Sequence, residues 1–186
     1  MLLFGHTGIT LGAAALVAGV VKSRGVSGQS WFVRLSQYMD IRLLLVGSLL
    51  PDIIDKPVGQ LFFREALSSG RIYAHTLLFL VVVAAAGLFL FKRCRQVWLL
   101  TLAAGSLMHH ILDAMWSSPA VLLWPLLGFE FSRINVDLWL SNMWHVLFNE
   151  PSVYVPEIIG LAVLAWYGVT LVRGKRVGAF VRYGKA

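Results

Sequence analysis

Between Arg71 and Lys92 the chain runs for twenty residues, IYAHTLLFLVVVAAAGLFLF, without one Asp, Glu, Lys or Arg. A helix of that length is about 30 Å long, the thickness of a bilayer's hydrocarbon core. The remaining sequence offers little polar material to cover it. Hydrophobic residues make up 58% of the 186 and charged residues 13%, and the mean hydropathy is +0.75. The chain therefore reads as an integral membrane protein, an all-α, polytopic helical bundle forming a single domain over residues 1–186.

Four further segments are expected to cross: about 4–21, 41–51, 96–116 and 153–172. With 72–91 they make about five spans. The second has an amphipathic lead-in at 31–40 and is broken by Pro51, and 56–71 reads as a polar loop or surface helix. Residues 119–131 are apolar but interrupted by Pro125 and Gly128, too short to cross. With the amphipathic stretch 134–148 they form an expected re-entrant or interfacial segment, 119–148. The early run GAAALVAG looks like the core of a cleavable signal, but no Lys or Arg precedes Lys22, which predicts a retained span. Cys94 is the single cysteine, so no intrachain disulfide forms.

A net charge of +7 in a soluble chain would point to nucleic acid. Here the bases cluster beside apolar runs, a pattern that sets orientation and contact with anionic lipid, and no nucleic acid is expected. If the spans alternate, twelve of the sixteen Lys and Arg residues share one side: Lys22, Arg24, Arg34, Arg42, Lys92, Arg93, Arg95 and the bases from Arg173 to Lys185. Lys56, Arg64, Arg71 and Arg133 fall on the other. The positive-inside rule then puts the N-terminus outside the plasma (inner) membrane and the C-terminus in the cytoplasm. Six tryptophans, Trp31, Trp98, Trp116, Trp124, Trp139 and Trp144, are expected as interface anchors.

Ionisable groups at the ends of such spans are expensive and mark function by default. Six stand out: His6, Asp52, Asp55, His75, His109 and Asp113. Counting helical rise from the basic residue at the cytoplasmic end of each segment puts His6 at about 24 Å, His75 at about 26 Å, and Asp52 and Asp113 at about 27 Å, with His109 one turn deeper at about 21 Å. Four segments thus deliver acids and imidazoles to one layer near the outer surface. His109 and Asp113 are i and i+4, on one helix face, and Asp52 and Asp55 are three apart. His110, three before Asp113, competes with His109. Mixed imidazole and carboxylate donors suit zinc, manganese or iron better than calcium, and six of them exceed what one tetrahedral zinc needs, so one or two ions are expected. Structural roles explain such residues singly: Asp52 or His75-Thr76 as helix caps, His109 with Asp113 as a buried hydrogen bond, and His145, outside the set, as an interfacial residue.

At these positions the chain resembles the YdjM-type family of small membrane-bound, metal-dependent hydrolases. The resemblance rests on GHTGIT, GSLLPDIID, RIYAHTLLF, GSLMHHILD and LLWP, in that order, over about residues 5–125. It implies a metal-site core over about 1–125, with the ligand set His6, Asp52, Asp55, His75, His109 and Asp113, preferring His109 to His110. Many members carry the second acid of the PD motif one position earlier than Asp55, and a basic pair where this chain reads Arg71-Ile72-Tyr73-Ala74. The family is distantly similar to zinc-dependent phospholipase C and P1-type nucleases.

The resulting expectation is hydrolysis of a phosphoester in a lipid or lipid-linked substrate at the outer leaflet by metal-activated water, with zinc first among the metals. His109, Asp113, Asp52 and His75 form the expected catalytic group, and Lys56, Arg64 and Arg71, on the same side, are candidates to hold the phosphate. No Ser-His-Asp or Cys-His arrangement and no phosphate-cradling Gly loop stands out. The rival is a non-enzymatic protein that binds or moves a metal or another ion, which favours a site at the bilayer midplane between repeats. No repeat is visible.

Overall fold

The computed structural model describes residues 1–21, 30–133 and 139–186. Among them are ten α-helices and no strand: α1 (Leu3–Val21), α2 (Trp31–Leu35), α3 (Ile41–Gly47), α4 (Leu50–Pro57), α5 (Leu77–Cys94), α6 (Trp98–Leu112), α7 (Pro119–Leu122), α8 (Trp139–Asn149), α9 (Pro151–Arg173) and α10 (Val177–Tyr183). A π-helical turn, Val58–Phe62, continues α4, and a 3-10 turn, Met115–Ser117, precedes α7. Three helices, α1, α5 and α9, are long and apolar enough to cross a membrane, and α6 is apolar but has 15 residues. Of the five expected crossings, these three qualify by length and composition. Lys22 and Arg24, used to orient the first span, and residues 134–138 of the interfacial segment lie outside the described residues.

Small residues decide which helices meet. A Cβ on Gly8 would lie 2.0 Å from Gly160 O, and one on Gly160 would lie 1.9 Å from Phe4 O, so α1 and α9 pack backbone to backbone. Glu157 faces Leu2, Gly160 faces Phe4 and Val163 faces Gly12, hence the two helices run parallel. Close approach through small residues is the usual way apolar helices associate where lipid supplies no hydrophobic drive. Gly105 on α6 does the same against Gly47 and Ser48 at the end of α3. By contrast α5 is only 6% buried over its apolar window and presents Val81, Val82 and Phe89 outward.

The apolar core gathers Leu11, Ala15 and Ala18 of α1, Phe32 and Leu35 of α2, Ile41 and Leu44 of α3, and Tyr167 and Leu171 of α9. It occupies one end of the bundle. The other end is formed by the starts of α1, α5 and α9 and the ends of α4 and α6, where the His and Asp side chains meet.

Three local expectations are corrected. Pro51 begins a helix rather than ending one: it sits in the first turn of α4, where its missing N–H is not needed. The span expected from residue 72 starts at Leu77, and the residues before it are turns whose backbone N–H groups, those of Ile72, Ala74 and His75, bind Asp55. Thr76 then caps α5, its hydroxyl accepting from Phe79 N at 3.1 Å. Trp124 packs edge-on to Tyr73 at 5.3 Å and against Phe131 at 6.1 Å, which anchors the turns after α7, whereas Trp31, Trp98, Trp116 and Trp144 are exposed.

Candidate metal centre

Each histidine of the predicted set is held by a hydrogen bond that dictates its tautomer. His6 Nδ1–H donates to Leu2 O at 2.6 Å, His109 Nδ1–H to Ser48 O at 2.8 Å, and His75 Nδ1–H to Asp55 Oδ2 at 2.7 Å. The acceptors are two carbonyls and a carboxylate, so the proton resides on Nδ1 and the lone pair on Nε2. All three rings are fully buried. Nε2 of His75 and Nε2 of His109 face one another at 3.2 Å, and the His6 and His109 rings stack at 4.2 Å. Nε2 of His6 is buried with no hydrogen-bond partner although Asp113 Oδ1 is 3.1 Å away. Lone pairs aimed at each other in a dry interior repel unless a cation lies among them.

Two carboxylates complete the cluster. Asp52 Oδ1 is 3.6 Å from His75 Nε2 and 4.0 Å from His109 Nε2, and Asp113 Oδ2 is 3.9 Å from His109 Nε2. Two overlapping groups can therefore hold a metal ion: His6, His109 and Asp113, and Asp52, His75 and His109. Donors on a tetrahedral ion with bonds of about 2.0–2.1 Å lie about 3.3 Å apart, close to the separations found here. The spent Nδ1 positions are the second-layer hydrogen bonds that metal-binding imidazoles need.

Asp55 stands apart from both groups. It is fully buried, and its carboxylate accepts from Ile72 N (2.8 Å), Ala74 N (2.9 Å) and His75 N (3.1 Å) besides the His75 ring. Its lone pairs are engaged, and it orients His75. His110 belongs to neither group, although its ring lies 6.2 Å from that of His75; its Nδ1–H donates to Ser106 O at 2.7 Å.

Both facing acids also carry a base. Lys56 Nζ is 2.6 Å from Asp52 Oδ2, and Arg71 Nη2 is 2.6 Å from Asp113 Oδ2. Lys56 and Arg71 line a cavity of about 380 Å3 that reaches Asp52 and Asp113 and includes Gln60, Ser69 and Ser118. Arg64 is exposed in the turns after the π-helical segment and lines neither this cavity nor the larger one beside it.

Depth counting treated each segment as one helix from its basic residue, and that premise fails: α3 and α4 are separate, and His75 precedes α5. The groups still converge, because Asp55 and Ser48 draw His75 and His109 inward. Glu157 was missed altogether. It is the one acid within the apolar run of α9, buried, and it accepts from Leu2 N at 2.6 Å and Phe4 N at 2.9 Å. It thereby caps α1 and fixes the turn that carries His6. An acid in a membrane-length run was the available signal.

A model of the YdjM inner membrane protein family matches residues 1–177. The chain belongs to that family. No curated protein and no solved structure matches it. The YdjM match spans every residue of the His/Asp cluster and continues through Glu157 to the end of α9.

Proposed function

We propose that this YdjM-family protein is a membrane-embedded, metal-dependent hydrolase of a phosphoester in a lipid or lipid-linked substrate, working at the outer leaflet. One observation carries the reading: three buried Nε2 lone pairs and two carboxylates converge beside a cavity lined by bases. A closed structural site saturates its ion with protein donors, whereas three donors with room beside them leave positions for water and substrate. His109 belongs to both groups yet offers only Nε2, so the cluster favours one tightly held ion. Zinc suits the donors best, and manganese or iron is compatible.

His6, His109 and Asp113 would hold a divalent ion, with His75 Nε2 within reach of it, and the bound ion would supply a lowered pKa for water and charge withdrawal from a phosphoryl oxygen. Asp52 Oδ1, at the edge of the cavity, takes the proton of the attacking water, with His75 kept beside it by Asp55. Lys56 and Arg71 bind the phosphate oxygens, exchanging part of their contact with Asp52 and Asp113 for contact with substrate. The excess of bases at the opposite ends of the helices supports an outward-facing site. Placement at one end of the bundle, rather than between repeats at its middle, favours hydrolysis over ion transport.

Elemental analysis of the purified wild type beside His109→Ala and Asp113→Ala, with a phospholipid and phosphodiester hydrolysis panel, tests this. Stoichiometric metal with turnover in the wild type alone is expected. Metal without turnover would support ion binding instead, and no metal in any preparation would refute the site.

A further inference from the structure

Beside the metal cluster lies a second, larger cavity of about 920 Å3 between α1, α4, α8 and α9. Its walls include Phe4, Leu49, Ile53, Leu147, Ile158 and Leu161, and it shares Leu2, Asp52, Lys56 and Met143 with the polar cavity. The two spaces therefore meet at Asp52 and Lys56. Ile53, Ile158 and Leu161 are half exposed or more and Phe4 is 43% exposed, so the groove opens along the apolar side of the bundle.

We infer that this groove seats the hydrocarbon chain of the substrate, while the base-lined cavity takes its phosphoester. The inference rests on the hydrolase reading and adds the shape of the molecule: one end apolar, the other anionic, with the junction at the metal cluster. Three features of the groove select this occupant. Its polarity changes once, at the end where Lys56 supplies positive charge. It lies against α1 and α9, both of membrane-spanning length, so a lipid enters sideways without leaving the bilayer. Glu157, the buried acid that borders it, has both carboxylate oxygens bound to the α1 backbone, which keeps them turned to α1 instead of the junction. Because lipid tails gain little free energy in moving from bilayer to an apolar groove, the groove acts mainly by holding the ester in register with the cluster.

Water-soluble substrates make the groove measurable, since each methylene taken from water into it raises affinity about fourfold. Methyl, butyl and hexyl p-nitrophenyl phosphates differ only in the chain; water attacks phosphorus, the bond to the nitrophenyl oxygen breaks, and p-nitrophenolate leaves. With wild type, KM is expected to fall by about fifteenfold from butyl to hexyl. Ile158→Trp and Leu147→Trp, which fill the groove from two helices, should flatten that ratio, while Val82→Trp on the outward face of α5 keeps it. A wild-type KM independent of chain length, or a ratio that survives both filling variants, overturns the inference. Should wild type cleave none of the esters, the hydrolase reading fails, and the groove is judged by binding alone. Phosphatidylglycerol vesicles carrying a diazirine in one acyl chain should then label peptides of α8 and α9 in wild type and lose that label in Ile158→Trp, with α5 labelled equally in both. Equal labelling of the groove in both proteins refutes the seat.

Discussion

Replacing Asp55 by Asn separates a residue that positions a ligand from one that is a ligand. The side chains are nearly the same size, but the amide keeps one acceptor oxygen and turns an NH2 toward donors. In the native site one oxygen accepts from Ala74 N while the other serves Ile72 N, His75 N and the His75 ring. Ala74 N lies 3.1 Å from that second oxygen as well, so an amide oxygen placed there keeps the native donors and buries only the new NH2 unpaired, while the opposite orientation orphans three donors; even the better one loses about 3 kcal/mol. At about 2–4 °C per kcal/mol for a chain of this length, the metal-free protein should melt about 10 °C lower. His75 also loses the carboxylate that fixes its tautomer, which lowers metal affinity by about 10–100-fold. Asp52→Asn should do the reverse: it removes the proposed proton acceptor and disturbs only the partly buried pair with Lys56, so turnover is lost while the metal-free stability changes by less than about 1 kcal/mol. Thermal unfolding of chelated, detergent-purified protein and a competitive metal titration measure both quantities. An Asp55→Asn protein that loses metal yet melts with the wild type would make Asp55 a ligand and refute the argument.

Gly160→Val should force α1 and α9 apart, because a Cβ there meets Phe4 O at 1.9 Å where ordinary contact begins at 3.4 Å. Overpacking of this kind costs about 1–3 kcal/mol or more, and the displaced Leu2 and Phe4 amides release Glu157 and move His6, so melting temperature and metal affinity fall together. His109→Ala should abolish metal binding and His110→Ala should retain it, read by elemental analysis, since His109 belongs to both donor groups and His110 to neither. At the far end of the bundle, burial alone would raise the Asp40 carboxyl, but Arg42 donates to it from its backbone N and its guanidinium and holds it below its ordinary value. A carboxyl lowered on folding adds stability above its unfolded pKa, about 3.9, and loses it as pH falls through the folded value. Wild type should therefore melt above Asp40→Asn at neutral pH, with the gap closing below about pH 4.

Much of this protein is written in one dimension. Long uncharged runs specify helices in lipid whatever surrounds them, because an unpaired backbone is prohibitive there, and α1 and α9 lie within two residues of their expected limits while α5 starts five residues later than expected. The i, i+4 pair His109 and Asp113 is likewise local geometry, and both residues face the cluster as the spacing implies. What only the tertiary structure decided is the division of labour among the acids. Asp52 and Asp55 sit three apart in one short helix and look alike in sequence, yet one faces the histidines and the other is surrounded by amides from residues seventeen to twenty positions away. The choice of His109 over His110 depends in the same way on Ser48 O, a backbone atom brought into reach by the absence of a side chain at Gly105. The cap that Glu157 places on α1 spans 155 residues. Local pattern determines where a polar group stands along a helix, because rise and twist are properties of the backbone. Which partner consumes its lone pairs is a property of the packed bundle, and that partner separates a ligand from its support.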